Sequence, residues 1–195
     1  MDLVQDTQSL YSDHAFIRVN LVGQTISGKE FEKCLFDKCT FLELSFSKCR
    51  FIDCVFSESM LSAIKLAGCI FFETTFRRSK VIGIDWSKTE KVRGLQFIEC
   101  ELNLSGFTFM KLPNLVIKNS SAKDVTFMEA DCSGANFEGT DFEKSIFKQT
   151  NLSNANFQRA FNYAIDFKNN ILRKAQFSLP EAASLLRGMD IVVKE

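Results

Sequence analysis

The chain has 195 residues, with 24 Lys plus Arg against 24 Asp plus Glu, and this balance excludes a global basic footprint for nucleic acid or anionic lipid and a global acidic one. The length suits one sizeable domain, and seven cysteines, an odd number in a chain too long to need staples, argue against a secreted disulfide framework and for a reduced, cytoplasmic setting. There is no run of eighteen apolar residues and no basic start followed by an apolar stretch, so neither a membrane span nor an export signal is expected.

Residues 1–15 read as an N-terminal cap segment. They hold His14, the only histidine, with no matched nucleophile or acid beside it in sequence, so triads and histidine metal clusters are not expected.

From Phe16 to Trp86 every fifth residue is large and apolar. The pattern is plainest in residues 31–56, FEKCLFDKCTFLELSFSKCRFIDCVF. It slips by one residue within WSKTEKVRGLQF (86–97), resumes at Val92 and runs through Phe167, Leu172 and Phe177, interrupted only by Asn162. Of the 21 phenylalanines, 18 fall on this phase. Two residues earlier lies a column of small side chains that includes Cys34, Cys39, Cys49, Cys54, Cys69 and Cys100, while Cys132 is on the central phase. From Glu30 to Lys174 the charged residues take the other three places, except Glu90 at the slip.

A helix repeats every 3.6 residues and a flat strand every two, so a period of five with two inward places calls for a short extended piece, a bend, and repetition. The chain then coils around its own phenylalanines, each coil stacking on the last at roughly 4.8 Å. Gln24 and Lys29 fall in the small inward column, so regular coiling is expected only from about Phe31. The single extra residue at the slip predicts a small bulge at most. No C-x-x-C occurs, and stacked cysteines do not converge tetrahedrally, so the thiols read as buried packing groups and no metal is expected.

Residues 178–195, SLPEAASLLRGMDIVVKE, read as a C-terminal helix and tail. Ser178 and Glu181 make a capping-box pattern, Pro180 falls in the first turn and Gly188 marks a stop. Leu185, Leu186, Met189, Ile191 and Val193 then need a cover, which makes them the candidate dimer interface.

With SGANF, GTDF, TNL and NANF, residues 16–177 resemble the pentapeptide-repeat family. The resemblance implies four pentapeptides per square turn, hence an all-β right-handed quadrilateral β-helix of about eight coils with a short C-terminal helix. The long coil, the slip and the tail ASLLRGMDIVV resemble the Qnr quinolone-resistance proteins, the mycobacterial protein MfpA and the microcin B immunity protein. That resemblance implies a non-enzymatic protein without cofactors that binds DNA gyrase or topoisomerase IV and dimerises through its C-terminal helix. The competing reading is a scaffold for another protein partner.

Two surface features serve these readings. Residues 124–143 contain Asp124, Glu129, Asp131, Glu138, Asp141 and Glu143 with no Lys or Arg, an acidic belt suited to partial DNA mimicry. On a twenty-residue coil Val22, Leu42 and Ile82, with Met60 and Leu104 nearby, line up as an apolar stripe suited to a protein partner. The basic residues of 77–93 come without an aromatic platform, so direct nucleic-acid binding is not expected.

Overall fold

The computed structural model describes residues 3–189. Three-residue strands follow one another from Leu10–Ser12 and Ala15–Ile17 onward, each with its middle residue buried except Lys91–Arg93, where Val92 is partly buried. Two residues past each middle residue the backbone turns through the left-handed region, from Asp13 (φ 52°) to Lys174 (φ 58°). One such residue per five bends an extended chain through a corner, which converts the sequence period into a coil.

Strands pair in parallel at a step of twenty, Tyr11 with Phe31, Phe31 with Phe51 and Phe51 with Phe71, so four pentapeptides close one turn. The four sides carry sheets of five, six, four and three strands, with a two-stranded pair near the end. The fold is the expected all-β right-handed quadrilateral solenoid with a short C-terminal helical element.

The coil leaves no lumen. Phe16, Phe36, Phe56, Phe76 and Phe97 form one column whose successive ring centroids lie 4.8, 4.4, 4.7 and 5.1 Å apart. Strand spacing imposes this near-parallel stacking, while adjacent columns meet edge-on, as Phe46 does with Phe41 (87°) and Phe51 (89°).

The small column has a hydrogen-bonding role. Its backbone N–H points along the stack without a strand partner, and the next coil supplies one: Ser59 Oγ accepts from Cys39 N–H at 3.0 Å and donates to Phe36 O at 3.1 Å. Ser79 repeats this on Ser59 N–H and Phe56 O. Cysteines do the same with sulfur, Cys39 Sγ donating to Phe16 O and Cys54 Sγ to Phe31 O, both at 3.2 Å, with Cys34 N–H aimed at the Cys54 sulfur. Beyond Leu102 most corners close on themselves, while Ser120, Val125 and Thr150 stay open and are served by Thr140, Ser145 and Asn170. Ala130 N–H donates to Phe127 O, Ala135 N–H to Cys132 O and Ala155 N–H to Leu152 O, all at 3.1 to 3.2 Å, so alanine suffices there. Cysteine, serine and threonine are therefore concentrated where corners are open.

The structure departs from expectation in four places. Regular coiling starts at Leu10 rather than near Phe31: Leu10–Ser12 already pairs with Glu30–Glu32, and Lys29, placed in the inward column, buries its stem and donates to Asp6 O and Gln8 O at 2.8 and 2.6 Å. The ammonium thereby ties the first coil to the segment above it.

In the last coil Tyr163 and Ile165 turn inward, and Phe167, expected inside, is 38% exposed. Phe147 pairs with Ile165 at a step of eighteen, and a turn at Asp166–Asn170 restores twenty by Asn151 and Ile171. Asn170 there does the small-column work, its Nδ2 donating to Phe147 O and its Oδ1 accepting from Thr150 N–H.

At the C-terminus Glu181–Met189 is a 3-10 helix that runs through Gly188. Ser178 does not close a capping box on it; its Oγ accepts from Arg159 N–H at 2.6 Å, latching the tail to the preceding coil.

The slip opens more than a bulge. Trp86–Lys88 forms a 3-10 turn with Asp85 capping Ser87 N–H, and the sheet on one side ends at Lys91–Arg93. The next coil's stretch on that side, Lys111–Pro113, pairs only with the following coil through Asp131, and Pro113 has no N–H to offer the ladder.

Candidate interaction surfaces

Because the interior is filled by its own side chains, chemistry is confined to the outside. All seven cysteines are buried and free. Burial pushes the thiols of Cys34, Cys39 and Cys132 up, with Cys100 at about 11 and Cys54 at about 12, so they are neutral, poor nucleophiles at physiological pH. Among the described residues no group of three or more His, Cys, Asp or Glu is placed to hold a metal ion. His14 is exposed and lies against the Tyr11 and Phe16 rings.

The six acidic residues of 124–143 are not gathered into one patch. They come from three sides of the coil and two corners, Asp124 (φ 55°) and Glu129 (φ 53°) being the corner residues. Glu138 is held by Lys118 at 2.8 Å from the coil below and by Arg159 from the coil above. Lys123 bridges Asp141 at 3.0 Å and Glu143 at 2.8 Å. Asp131 accepts from Ser133 N–H and Asn151 Nδ2.

These contacts set the titration. Burial alone would raise Asp141, but hydrogen bonds from Asn162, Lys123 and the Glu143 N–H outweigh it and hold the carboxyl below its ordinary value. The Lys123 hydrogen bond likewise lowers Glu143 and is returned as a raised Lys123. A belt that counts as six negative charges along the sequence is neutralised at three of them by cations one coil away.

The apolar stripe is a true register column. Val22 faces Leu42, Leu42 faces Ser62, and Ser62 faces Ile82 on consecutive strands, so one hydroxyl interrupts it. Val22 is 56% exposed and Leu42 and Ile82 are half-buried. Met60 is on the other flank of the same strands, opposite Thr40 and Lys80, and Leu104 is on a corner.

Three phenylalanines off the central phase, Phe72, Phe109 and Phe161, are exposed as that phase demands. Phe72 is covered on one face by Arg93, 5.5 Å from its centroid. Phe109 is at a corner with φ 62°, a conformation unfavourable for a bulky side chain. The sequence reading did not single it out; its off-phase position is the signal that could have.

At the C-terminal end Leu185 packs against the core, while Leu186, Met189 and Leu179 are exposed. Ile191 and Val193, the remaining candidates for a dimer interface, lie outside the described residues. No helix among the described residues is long and apolar enough to cross a membrane.

Comparison with known proteins places these features in a family. Residues 29–107 match the pentapeptide repeat region model and residues 126–161 match a second model, pentapeptide repeats (8 copies), together more than half of the chain. No curated protein matches. Among solved structures, one is QnrB1, a plasmid-mediated fluoroquinolone resistance protein, at 15% identity over 100% of this chain and 96% of that one, with a TM-score of 0.47. Another is HetL, involved in heterocyst differentiation regulation in the cyanobacterium Nostoc, at 14% identity over 87% of each chain with a TM-score of 0.48. At these values the likeness is one of fold alone. The repeat models, the four-sided coil and the phase of its core residues agree: this chain belongs to the pentapeptide-repeat family.

Proposed function

We propose that this chain is a non-enzymatic, cytoplasmic protein-binding rod whose partner is a type II topoisomerase, DNA gyrase or topoisomerase IV, which it shields from inhibitors such as quinolones. The observation that carries the protein-binding part is the filled interior: with Phe columns closing the coil, recognition falls to the outer faces. The partner class rests on the resemblance of the repeat and tail to the Qnr group. Partial DNA mimicry falls to Asp124, Glu129 and Asp131, since Glu138, Asp141 and Glu143 are neutralised by Lys118, Arg159 and Lys123. Two copies join through Leu185, Leu186 and Met189 with the tail that follows.

Supercoiling by purified gyrase, with and without a quinolone, tests this reading. Altered supercoiling or reduced drug inhibition is expected, and no effect up to micromolar protein overturns the topoisomerase assignment.

A second reading, a scaffold for a different protein, is favoured by the aligned column of Val22, Leu42 and Ile82. Under it, Leu42→Asp with Ile82→Asp abolishes partner binding and Asp124→Lys with Glu129→Lys leaves it intact; topoisomerase binding by charge expects the reverse.

A further inference from the structure

The one-residue slip leaves a side of the solenoid split. From Ser87 to Gly94 on one coil and Thr108 to Asn114 on the next, no backbone hydrogen bond crosses among the described residues, whereas Asp85 still bridges Gly106 before the split and Val116 N–H reaches Leu95 O at 3.2 Å after it. Elsewhere each coil hands its backbone groups to the next, as Glu73 N–H does to Arg93 O at 2.9 Å. Val92 and Gly94, the equivalent places one coil on, have no such partner across the gap. Two adjoining cavities of about 680 and 610 Å³ open along the split, the first lined by residues 91–96 and 111–116, the second by residues 87–92 and 108–111.

Three properties of this cleft point to one kind of occupant. An unpaired strand edge is a template for another extended backbone. The lining is cationic: Lys88, Lys91, Arg93 and Lys111 are all exposed, against Glu73 and Glu90. Of these acids Glu73 lies against Gly94, where a Cβ would collide with its carboxylate, so its side chain is folded onto the strand edge. The rim carries Phe109, 69% exposed. A large aromatic side chain left mostly in water beside unpaired backbone is a feature that core packing does not explain.

We propose that this cleft is a docking site for an extended acidic segment of a partner protein, which pairs with the Lys91–Gly94 edge, sets its carboxylates against Lys88, Lys91, Arg93 and Lys111, and rests an apolar side chain on Phe109. The site is independent of the topoisomerase reading: it requires neither the acidic belt nor the C-terminal dimer face.

The test uses the full chain and a fluorescein-labelled peptide of alternating Glu and Val, with its Lys/Val counterpart and a version N-methylated on alternate amides. Fluorescence anisotropy is expected to show saturable binding of the Glu/Val peptide only, and Arg93→Glu with Lys111→Glu to weaken it about tenfold or more. Arg18→Glu with Lys144→Glu, equal in charge change and on the two corner columns that do not border the cleft, should leave it unaltered. Protection of the Val92 and Gly94 amides from hydrogen exchange on binding would support strand pairing. Binding of the N-methylated peptide with undiminished affinity overturns the pairing. Tighter binding of a single-stranded oligonucleotide at the same residues overturns the acidic-peptide assignment, as does absence of saturation up to about 1 mM.

Discussion

Ser59→Ala isolates the role assigned to the small inward column. Ser59 is 2% exposed; its hydroxyl accepts from Cys39 N–H and donates to Phe36 O and to Ser57 O. The Phe36 carbonyl has a second lone pair for the strand ladder, so the loss falls chiefly on Cys39 N–H, buried in a residue 1% exposed with an open corner beside it. One buried donor left unsatisfied costs about 1–3 kcal/mol. For a chain of this size 2 kcal/mol corresponds to a fall in Tm of about 4–8 °C. Ser59→Cys, which keeps a weak donor and acceptor, should recover part of it. Ala135→Ser, placed where the N–H is already taken by Cys132 O, should give no gain. Guanidinium titration followed by the fluorescence of Trp86, the single buried tryptophan, reads all three. A Ser59→Ala midpoint indistinguishable from the parent, or a stabilising Ala135→Ser, would refute the account of why cysteine, serine and threonine crowd the first half.

The buried thiols should be silent to Ellman's reagent in the native protein and all seven should titrate in denaturant; rapid native reaction would contradict their burial. Since Cys54 and Cys100 ionise only at about 12 and 11 when folded, above the 9.0 of an ordinary thiol, the stability they contribute is whole below pH 9 and declines as pH rises through those values. Cys54→Ser should shallow that alkaline slope in urea midpoints measured against pH. Asp141 has the opposite sign: its lowered pKa contributes stability above the ordinary aspartate range that is lost on acidification through the depressed value, so Asp141→Asn should flatten the acid limb. Phe127→Ala, which removes a ring stacked 5.3 Å from Phe107 and 4.9 Å from Phe147, should cost about 3–5 kcal/mol, and a loss near 1 kcal/mol would mean that the column repacks.

Lys29 and Asn162 show where one-dimensional reading stops. A lysine in an inward column looked like a break in the coil. In three dimensions it is the group that joins the first coil to residues 6–8, because its stem is long enough to bury while its ammonium reaches backbone carbonyls. Asn162 looked like one polar interruption in an otherwise continuous phase. Instead the chain shortens that coil by two residues, turns Tyr163 and Ile165 inward, leaves Phe167 partly outside and recovers its step at Asn170.

The period of five, the inward phase and the burial of every cysteine were legible in the amino-acid order, because a solenoid repeats one local environment and selects the same side chains at each turn. The four-sided step came by resemblance to relatives, and the strand register then bore it out. Charge and continuity depended on tertiary structure. A coil with six carboxylates and no cation along the sequence meets Lys118, Lys123 and Arg159 only because stacked coils bring residues about twenty apart into contact. The ladder on that side carries the surplus residue between Phe71 and Val92 intact and breaks one coil later, between Lys91–Arg93 and Lys111–Pro113, where Pro113 has no N–H to donate.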